Sequence, residues 1–146
     1  MCAEKDNRGT RHKLRLAFRY AGPVVLLLAI LWFPFDWLST VWPAFGKPFR
    51  WVFRDAHDHF IGHMILFLIV GALILWYMPP LRRHPLWYAG GLIFAALVQE
   101  TIQALFRGQV PTFTDFNAFK GDALGGMLAF ALWFIVFLLK LALSQT

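Results

Sequence analysis

The sequence predicts an all-α fold: a polytopic membrane protein with four transmembrane helices and a short interfacial segment between the first two. Of its 146 residues, 59% are hydrophobic and 15% are charged, whereas a soluble domain carries about 25% charged residues. A soluble chain of this length could not bury so much apolar surface in one core, so lipid is the expected solvent. The apolar residues also fall into four runs, with charged residues mostly before or between them.

Each apolar run is expected to form one membrane-spanning helix. In the first run, Pro34 is expected to kink or end the helix. The third run contains Glu100 as its only full charge, and the second contains none. At about 1.5 Å of rise per residue, the second and third runs are long enough for a hydrocarbon core of about 30 Å. The four runs cover residues 20–35, 59–81, 84–106 and 123–139.

The chain begins with a basic segment, residues 1–19, which is predicted to be cytoplasmic. A basic start followed by an apolar run is also typical of a cleaved signal peptide. A retained anchor is favoured, because the run is long and no small-residue cleavage site follows it. The predicted organisation is therefore a basic segment, a membrane domain at 20–140 and a C-terminal tail at 141–146.

The segment between the first two runs, residues 39–58, mixes aromatic and basic side chains. Such a mixture suits the headgroup layer, which is apolar on one side and wet on the other. We expect residues 40–57 to form a short helix on the membrane surface, with a plain loop as the alternative. Residues 107–121, between the third and fourth runs, are predicted to form a polar loop.

The distribution of Lys and Arg predicts the orientation of the helices. Nine of the 14 lie in the N-terminal segment, in the loop at residues 79–85 or near the C-terminus, and five lie in the other two loops. The positive-inside rule then places both termini in the cytoplasm of a multi-pass inner-membrane protein. The net charge of +6 is explained by topology. No recognition motif accompanies it, so nucleic-acid binding is not expected.

Three groups of polar residues stand out because ionisable groups are costly inside membrane helices. In the first group, Asp55, His59 and His63 form one stripe at i, i+4 and i+8, with His57 and Asp58 beside them. Two histidines at i, i+4 can share a metal ion. Capping and hydrogen bonding at the start of the helix are favoured over a metal site. No metal ion or cofactor is therefore predicted.

The second group consists of Glu100, Gln103 and Arg107, which share one face of the third helix. Glu100 lies about two turns inside the helix end, where Arg107 or a histidine would keep it charged. An interhelical hydrogen-bonding knot and a functional site are both consistent with this pattern. Because the second helix starts where the third ends, Glu100 and His63 are expected at similar depth.

The third group is Asp122 with Gly125 and Gly126. Asp122 is expected to cap the fourth helix. The two glycines are expected to allow close approach to a neighbouring helix, as Gly90 and Gly91 are in the third. Helix order alone places all three groups toward the same membrane face, whichever way the chain inserts.

These motifs together resemble the VanZ-like family of small bacterial membrane proteins over roughly residues 20–140. The family pattern has an Asp and His-Phe-x-x-Tyr at the second helix, Glu-x-x-Gln and an Arg at the third, and Asp-x-x-x-Asn-x-x-Gly at the fourth. The matching segments are Asp55-x-x-x-His59-Phe60-x-x-His63, Glu100-x-x-Gln103-x-x-x-Arg107 and Asp122-x-x-Gly125.

This chain departs from the family pattern at four positions. His63 stands for the Tyr, Asp122 for the Asn, Ala118 for the preceding Asp and Ala56 for the usual Lys. The resemblance implies a protein of the bacterial cell envelope, in a family named for a member associated with resistance to teicoplanin. It implies no settled biochemical activity.

The leading hypothesis is an outer-leaflet polar pocket for an amphiphilic envelope molecule, such as a lipid headgroup or a polyprenyl phosphate. Arg107, aided by Lys120, would contact the anion. The remaining predicted pocket residues are Asp55, His59, His63, Glu100, Gln103 and Asp122. The alternatives are an intramembrane enzyme, with a histidine and Glu100 in acid–base roles, and a structural partner subunit. The sequence identifies membrane lipid as a partner, but no protein.

Overall fold

A computed structural model describes residues 21–110 and 113–145 of the chain. The basic segment at residues 1–19 lies outside the described residues. Within the described ranges every regular element is helical, which confirms the all-α prediction. The elements are α1 (Ala21–Leu31), α2 (Phe35–Val41), α3 (Pro43–Val52), α4 (Ala56–Tyr77), a 3-10 helix (Pro79–Arg83), α5 (Pro85–Phe106) and α6 (Phe113–Leu143).

Three of the described helices are long and apolar enough to cross a membrane: α4, α5 and the part of α6 from Phe116 to Leu143. The number becomes four if α1 and α2 together form one broken span, since they meet at an angle of 50°. Pro34 lies at this break, in agreement with the predicted kink. The chain therefore has the helices of a multi-pass membrane protein.

The segment after the bend is also helical. α3 exposes Trp51 and packs through Gly46 against the Ser39 carbonyl of α2. Arg50 donates a hydrogen bond to the same carbonyl, at 3.0 Å. These contacts hold α3 folded back against α2. The helix predicted at residues 40–57 is thus present as the shorter α3.

The start of the last helix differs from the prediction of residues 123–139. α6 begins at Phe113 and continues for 31 residues to Leu143. At about 1.5 Å per residue its length is roughly 46 Å, well beyond the hydrocarbon core. The last part of the predicted loop at residues 107–121 is therefore helical, because a helix longer than the membrane can carry polar residues beyond the hydrocarbon core. Asp122 therefore lies inside α6, and its predicted role as a helix cap is wrong.

Local signals explain where α4 and α5 begin and end. The Asp55 carboxylate accepts hydrogen bonds from the backbone N–H groups of His57 and Asp58, both at 2.9 Å, and so caps α4 as predicted. At the other end, Arg82 donates to the carbonyls of Leu75 and Trp76 at 2.6 and 3.2 Å. A cation suits this position, because unpaired carbonyls end every helix.

Helices α4 and α6 pack closely through glycines. A Cβ atom at Gly125 would collide with the carbonyl of Met64, and one at Gly121 would lie 2.7 Å from the carbonyl of Phe60. Gly126 faces Leu92 of α5. Gly90 and Gly91 have open space where a side chain would be, so their predicted packing role is wrong.

Side-chain hydrogen bonds tie α5 to its neighbours on two sides. The indole N–H of Trp32, just after α1, donates to the carbonyl of Ala95 at 3.2 Å. The hydroxyl of Tyr88 donates to the carbonyl of Gly126 at 3.0 Å and ties α5 to α6. Phe67 and Leu75 of α4 are fully buried beside these contacts. Helix α5 is therefore fixed on both sides.

Replacing Gly125 by Ala is expected to destabilise the fold by about 1–3 kcal/mol, because the added methyl group pushes two helix backbones apart. The matched control, Gly91→Ala, adds the same group in open space and should change stability by less than about 1 kcal/mol. Reversible unfolding in mixed micelles measures both. Equal effects of the two substitutions would contradict the close α4–α6 contact.

Candidate functional site

Three ionisable side chains that are buried or nearly buried form a cluster where α4, α5 and α6 meet. His63 Nδ1 lies 2.8 Å from Asp122 Oδ1, at hydrogen-bonding distance. The same nitrogen lies 3.5 Å from Glu100 Oε1. Asp122 is fully buried and Glu100 is 6% exposed. Each helix therefore contributes one ionisable side chain to a single point inside the protein.

Helix register explains why these three side chains meet. His63 lies seven residues after the start of α4, and Glu100 lies six residues before the end of α5. Both positions are about 10 Å from the same end of the bundle. Helix α6 begins at Phe113, nine residues before Asp122, and its first turns extend beyond the end of α5. Asp122 therefore lies at the same level as His63 and Glu100. The sequence placed His63 and Glu100 at similar depth, and the structure brings them together.

Some buried oxygen atoms in and beside this cluster lack a hydrogen-bond partner. Asp122 Oδ2 and Gln99 Oε1 are both buried and have no hydrogen-bond partner among the described residues. An unsatisfied buried acceptor costs about 1–3 kcal/mol, and more if it is charged. Such atoms are often explained by a bound ion, water or ligand. The cluster thus has the chemistry of a site as well as of a structural knot.

A cleft of about 680 Å³ reaches the cluster from the side of α3. His63, Gln99 and Gln103 line its inner wall, and Phe49 of α3 and Phe53, the residue after α3, line the opposite wall. Its lining along α4 is polar at residues 57–59 and again at His63, and it is apolar beyond His63, at Ile65, Leu66 and Ile69. We call it the α3–α4 cleft. It has one polar end and one apolar end.

A second cleft of about 540 Å³ adjoins the first and shares Asp36, Phe49, Phe53 and His59 with it. Its cationic side chains are Arg50 and Arg107. The Arg107 guanidinium lies 3.4 Å from the Asp36 carboxylate, and both side chains are about one-third exposed. We call this region the arginine cleft.

The first predicted stripe is divided between two environments. Asp55 is exposed and caps α4; the donated N–H groups of Asp58 and His57 hold its pKa below the usual value for a carboxyl group. His59 Nδ1 lies 2.9 Å from the carbonyl oxygen of Asp55, and its ring packs 5.3 Å from Phe53. Only His63 of this stripe reaches the buried cluster. Capping and hydrogen bonding therefore account for Asp55 and His59.

Of the other predicted residues, Gln103 lines the α3–α4 cleft, and Arg107 lines the arginine cleft. Lys120 lies outside the described lining of both clefts, with its ammonium group 3.3 Å from Asn117 Oδ1. A role for Lys120 beside Arg107 therefore has no support in this geometry.

Several residues at the site were missed by the sequence analysis. Asp36 lines both clefts, and its acidic side chain at the end of the first apolar run was the available signal. Gln99 adjoins Glu100 and precedes Gln103 by one turn. The rings of Phe45, Phe49 and Phe53 pack in series at 5.4 and 4.8 Å, and their i, i+4 spacing indicated a shared face.

No family model, curated protein or solved structure matches this chain. The site must therefore be interpreted from its own geometry.

The bond between His63 and Asp122 is expected to couple α4 and α6. In a double-mutant cycle with His63→Ala and Asp122→Ala, the two effects on the free energy of unfolding should be non-additive by about 0.5–2 kcal/mol. The control cycle pairs Asp122→Ala with His84→Ala, at the opposite end of α5, and should be additive. Unfolding by increasing SDS in mixed micelles gives each value. Additivity in both cycles would argue against the bond.

Proposed function

We propose that this protein is a four-span protein of the bacterial inner membrane that binds an amphiphilic envelope molecule in the α3–α4 cleft. The observation that carries the proposal is the change in the cleft lining along α4. Polar residues at one end suit a headgroup, and the apolar residues beyond them suit a hydrocarbon chain. The ligand class is a membrane lipid with an anionic headgroup, such as a polyprenyl phosphate.

The dimensions of the cleft agree with such a ligand. Its volume of about 680 Å³ is within the range of about 300–1,000 Å³ found for small-molecule sites. Asp58 and Ile69 both line it and are eleven residues apart on α4, which corresponds to roughly 16 Å. A headgroup and the first part of one acyl chain fit that length.

The arginine cleft supplies the contact for an anion. Arg107 is paired with the partly exposed carboxylate of Asp36, at 3.4 Å. A phosphate oxygen can exchange with this carboxylate, because arginine forms strong bidentate bonds to both groups. Gln103 and His59 of the adjoining lining would then hydrogen-bond the remaining headgroup atoms.

Another groove, of about 440 Å³ between α5 and α6, is a poorer candidate. Its lining is apolar except for Tyr88, whose hydroxyl already donates to the carbonyl of Gly126. An acyl chain could lie there, but the lining offers no charged group to a headgroup. The α3–α4 cleft is therefore the better candidate for selective binding of a lipid headgroup.

The VanZ-like resemblance supports a role in the cell envelope, including resistance to teicoplanin. A second candidate function, an intramembrane enzyme acting on the same class of lipid, is favoured by one observation. His63 both lines the α3–α4 cleft and contacts the carboxylates of Asp122 and Glu100. An imidazole held in this way can exchange a proton with a bound substrate. Turnover of the bound lipid, measured by its products, separates this function from binding alone.

The proposed topology has both termini in the cytoplasm. Reporter fusions after Gly46, Arg82, Gly108 and the C-terminus should be outside, inside, outside and inside, because nine of 14 cationic residues lie on the predicted inner side. Paired reporters active only in the periplasm or only in the cytoplasm measure each position. Periplasmic activity at Arg82 would show the opposite orientation. A reporter at Gly46 on the same side of the membrane as the N-terminus would contradict the first span.

The proposed ligand site makes a prediction about bound lipid. Protein purified in nanodiscs made directly from cell membranes should be enriched in one anionic lipid over the bulk membrane. Arg107→Gln should reduce this enrichment by about tenfold, because a charge-assisted contact worth roughly 1.5–3 kcal/mol is lost. The matched control, Arg83→Gln, removes a cation at the opposite end of α5 and should leave it unchanged. Quantitative lipid mass spectrometry gives the ratios.

A further variant separates anion binding from a structural role of the same arginine. Asp36→Asn breaks the Arg107–Asp36 pair but leaves the guanidinium available to a phosphate, so lipid enrichment should be kept or increased. If Asp36→Asn and Arg107→Gln lose the lipid equally, Arg107 serves only to pair with Asp36. Absence of any enriched lipid in the wild-type protein would overturn the proposed function.

A further inference from the structure

We propose that His63, Glu100 and Asp122 form a binding site for a divalent cation of the zinc class, inside the membrane-spanning bundle. This proposal is independent of lipid binding, because it rests only on the buried cluster. It differs from the metal pair considered from sequence, which would have joined His63 to His59. It assigns to the protein a cofactor that the sequence analysis did not predict.

The geometry of the three side chains fits this assignment. One ligand atom from each residue lies within 4.8 Å of the other two. Tetrahedral zinc, with bonds of about 2.0–2.2 Å to nitrogen and oxygen, places its ligand atoms about 3.3 Å apart. His63 Nδ1 and Glu100 Oε1 are 3.5 Å apart, close to that value. The His63–Asp122 pair, at 2.8 Å, would have to open by only about 0.5 Å.

The buried state of Asp122 is a second, independent observation. Its side chain is fully buried, and its Oδ2 atom has no hydrogen-bond partner among the described residues. This oxygen, or the other oxygen of the same carboxylate, would coordinate a bound cation. It would also remove the unfavourable energy of burying an acceptor that has lost its water.

Charge balance also favours a dication. Two carboxylates beside a neutral imidazole carry a charge of −2, which is costly in a region with little water. Metal binding requires deprotonated carboxylates and a neutral imidazole. A dication at this point neutralises the cluster without any other buried charge. The alternative is a proton-sharing knot, in which protons rather than a metal compensate the carboxylates.

The ligand set indicates the kind of metal and its role. One imidazole nitrogen with two carboxylate oxygens is a set used for zinc, with manganese and iron as close relatives. Three protein ligands leave a fourth position for water or a substrate, as in catalytic zinc sites. His63 and Gln99 both line the α3–α4 cleft, so this position would be reached from the cleft.

The test measures zinc itself, on full-length protein purified without a polyhistidine tag. The protein is stripped with a chelator, incubated with zinc chloride and passed through a desalting column. Metal content is then measured by mass spectrometry, and affinity by competition with a fluorescent zinc chelator. Wild-type protein should retain about one zinc ion per chain and show a higher Tm with zinc than without it.

Three conservative variants identify the ligands. His63→Gln, Glu100→Gln and Asp122→Asn keep side-chain size and hydrogen-bonding capacity but remove a good metal ligand. Each should weaken zinc affinity by at least about 100-fold, since even outer contacts to a metal site are worth 10–100-fold. His84→Gln, on the opposite side of the bundle, is the matched control and should bind zinc as the wild type does.

The outcomes separate the proposal from its alternatives. Zinc loss in all three variants, with their metal-free Tm near that of the wild type, supports the site. If a variant unfolds, cobalt absorption of the wild-type protein gives an independent reading, since a site with nitrogen and oxygen ligands yields a tetrahedral spectrum. If the wild-type protein retains no metal and shows no cobalt spectrum, the three side chains form a proton-sharing knot and the proposal fails. Loss in His59→Gln with retention in Asp122→Asn would also overturn it.

Discussion

The contact between α4 and α6 is the constraint on which the arrangement of the site depends. Gly121 and Gly125 lie on either side of Asp122 in α6, and they face the carbonyls of Phe60 and Met64, which flank His63 in α4. The absence of side chains at both glycines lets the two backbones approach. This approach brings the short Asp122 side chain within 2.8 Å of His63. In lipid there is little hydrophobic drive between helices, so such close packing and polar contacts must hold them together.

Helix α5 completes the cluster and is positioned by different interactions. Tyr88 donates to the carbonyl of Gly126, one residue beyond the glycine that contacts α4. On its other side, α5 accepts the indole N–H of Trp32 at the carbonyl of Ala95. With both faces fixed, Glu100 is directed toward His63. A buried carboxylate at this depth is costly, so its position beside an imidazole has a physical reason whether the compensating charge is a proton or a metal ion.

The first part of the chain determines how a ligand can reach the buried cluster. The bend at Pro34 turns α2 away from α1, and α3 then folds back so that Phe49 and Phe53 face α4. These rings form the outer wall of the α3–α4 cleft, while the histidines and glutamines of α4 and α5 form the inner wall. The cleft therefore combines an apolar surface with a polar one. That combination relates the two proposals, since an amphiphile in the cleft would lie beside His63, one of the three proposed metal ligands.

The sequence by itself determined the all-helical fold, the limits of α5 to within one residue and those of α4 to within four, the cap at Asp55, and the depth shared by His63 and Glu100. These features follow from local rules: apolar runs of membrane length, prolines at helix ends, and a rise of about 1.5 Å per residue. The predicted start of the last helix is ten residues too late, because polar residues are typical of loops as well as of helix ends outside the membrane. The sequence also predicted close packing at Gly90 and Gly91, which face open space. Only the tertiary structure decided that His63 meets Asp122, that Asp36 meets Arg107, and that His59 stays apart. Helical periodicity fixes which residues share a face and a depth, but the rotation of one helix against another is set by packing between residues distant in sequence.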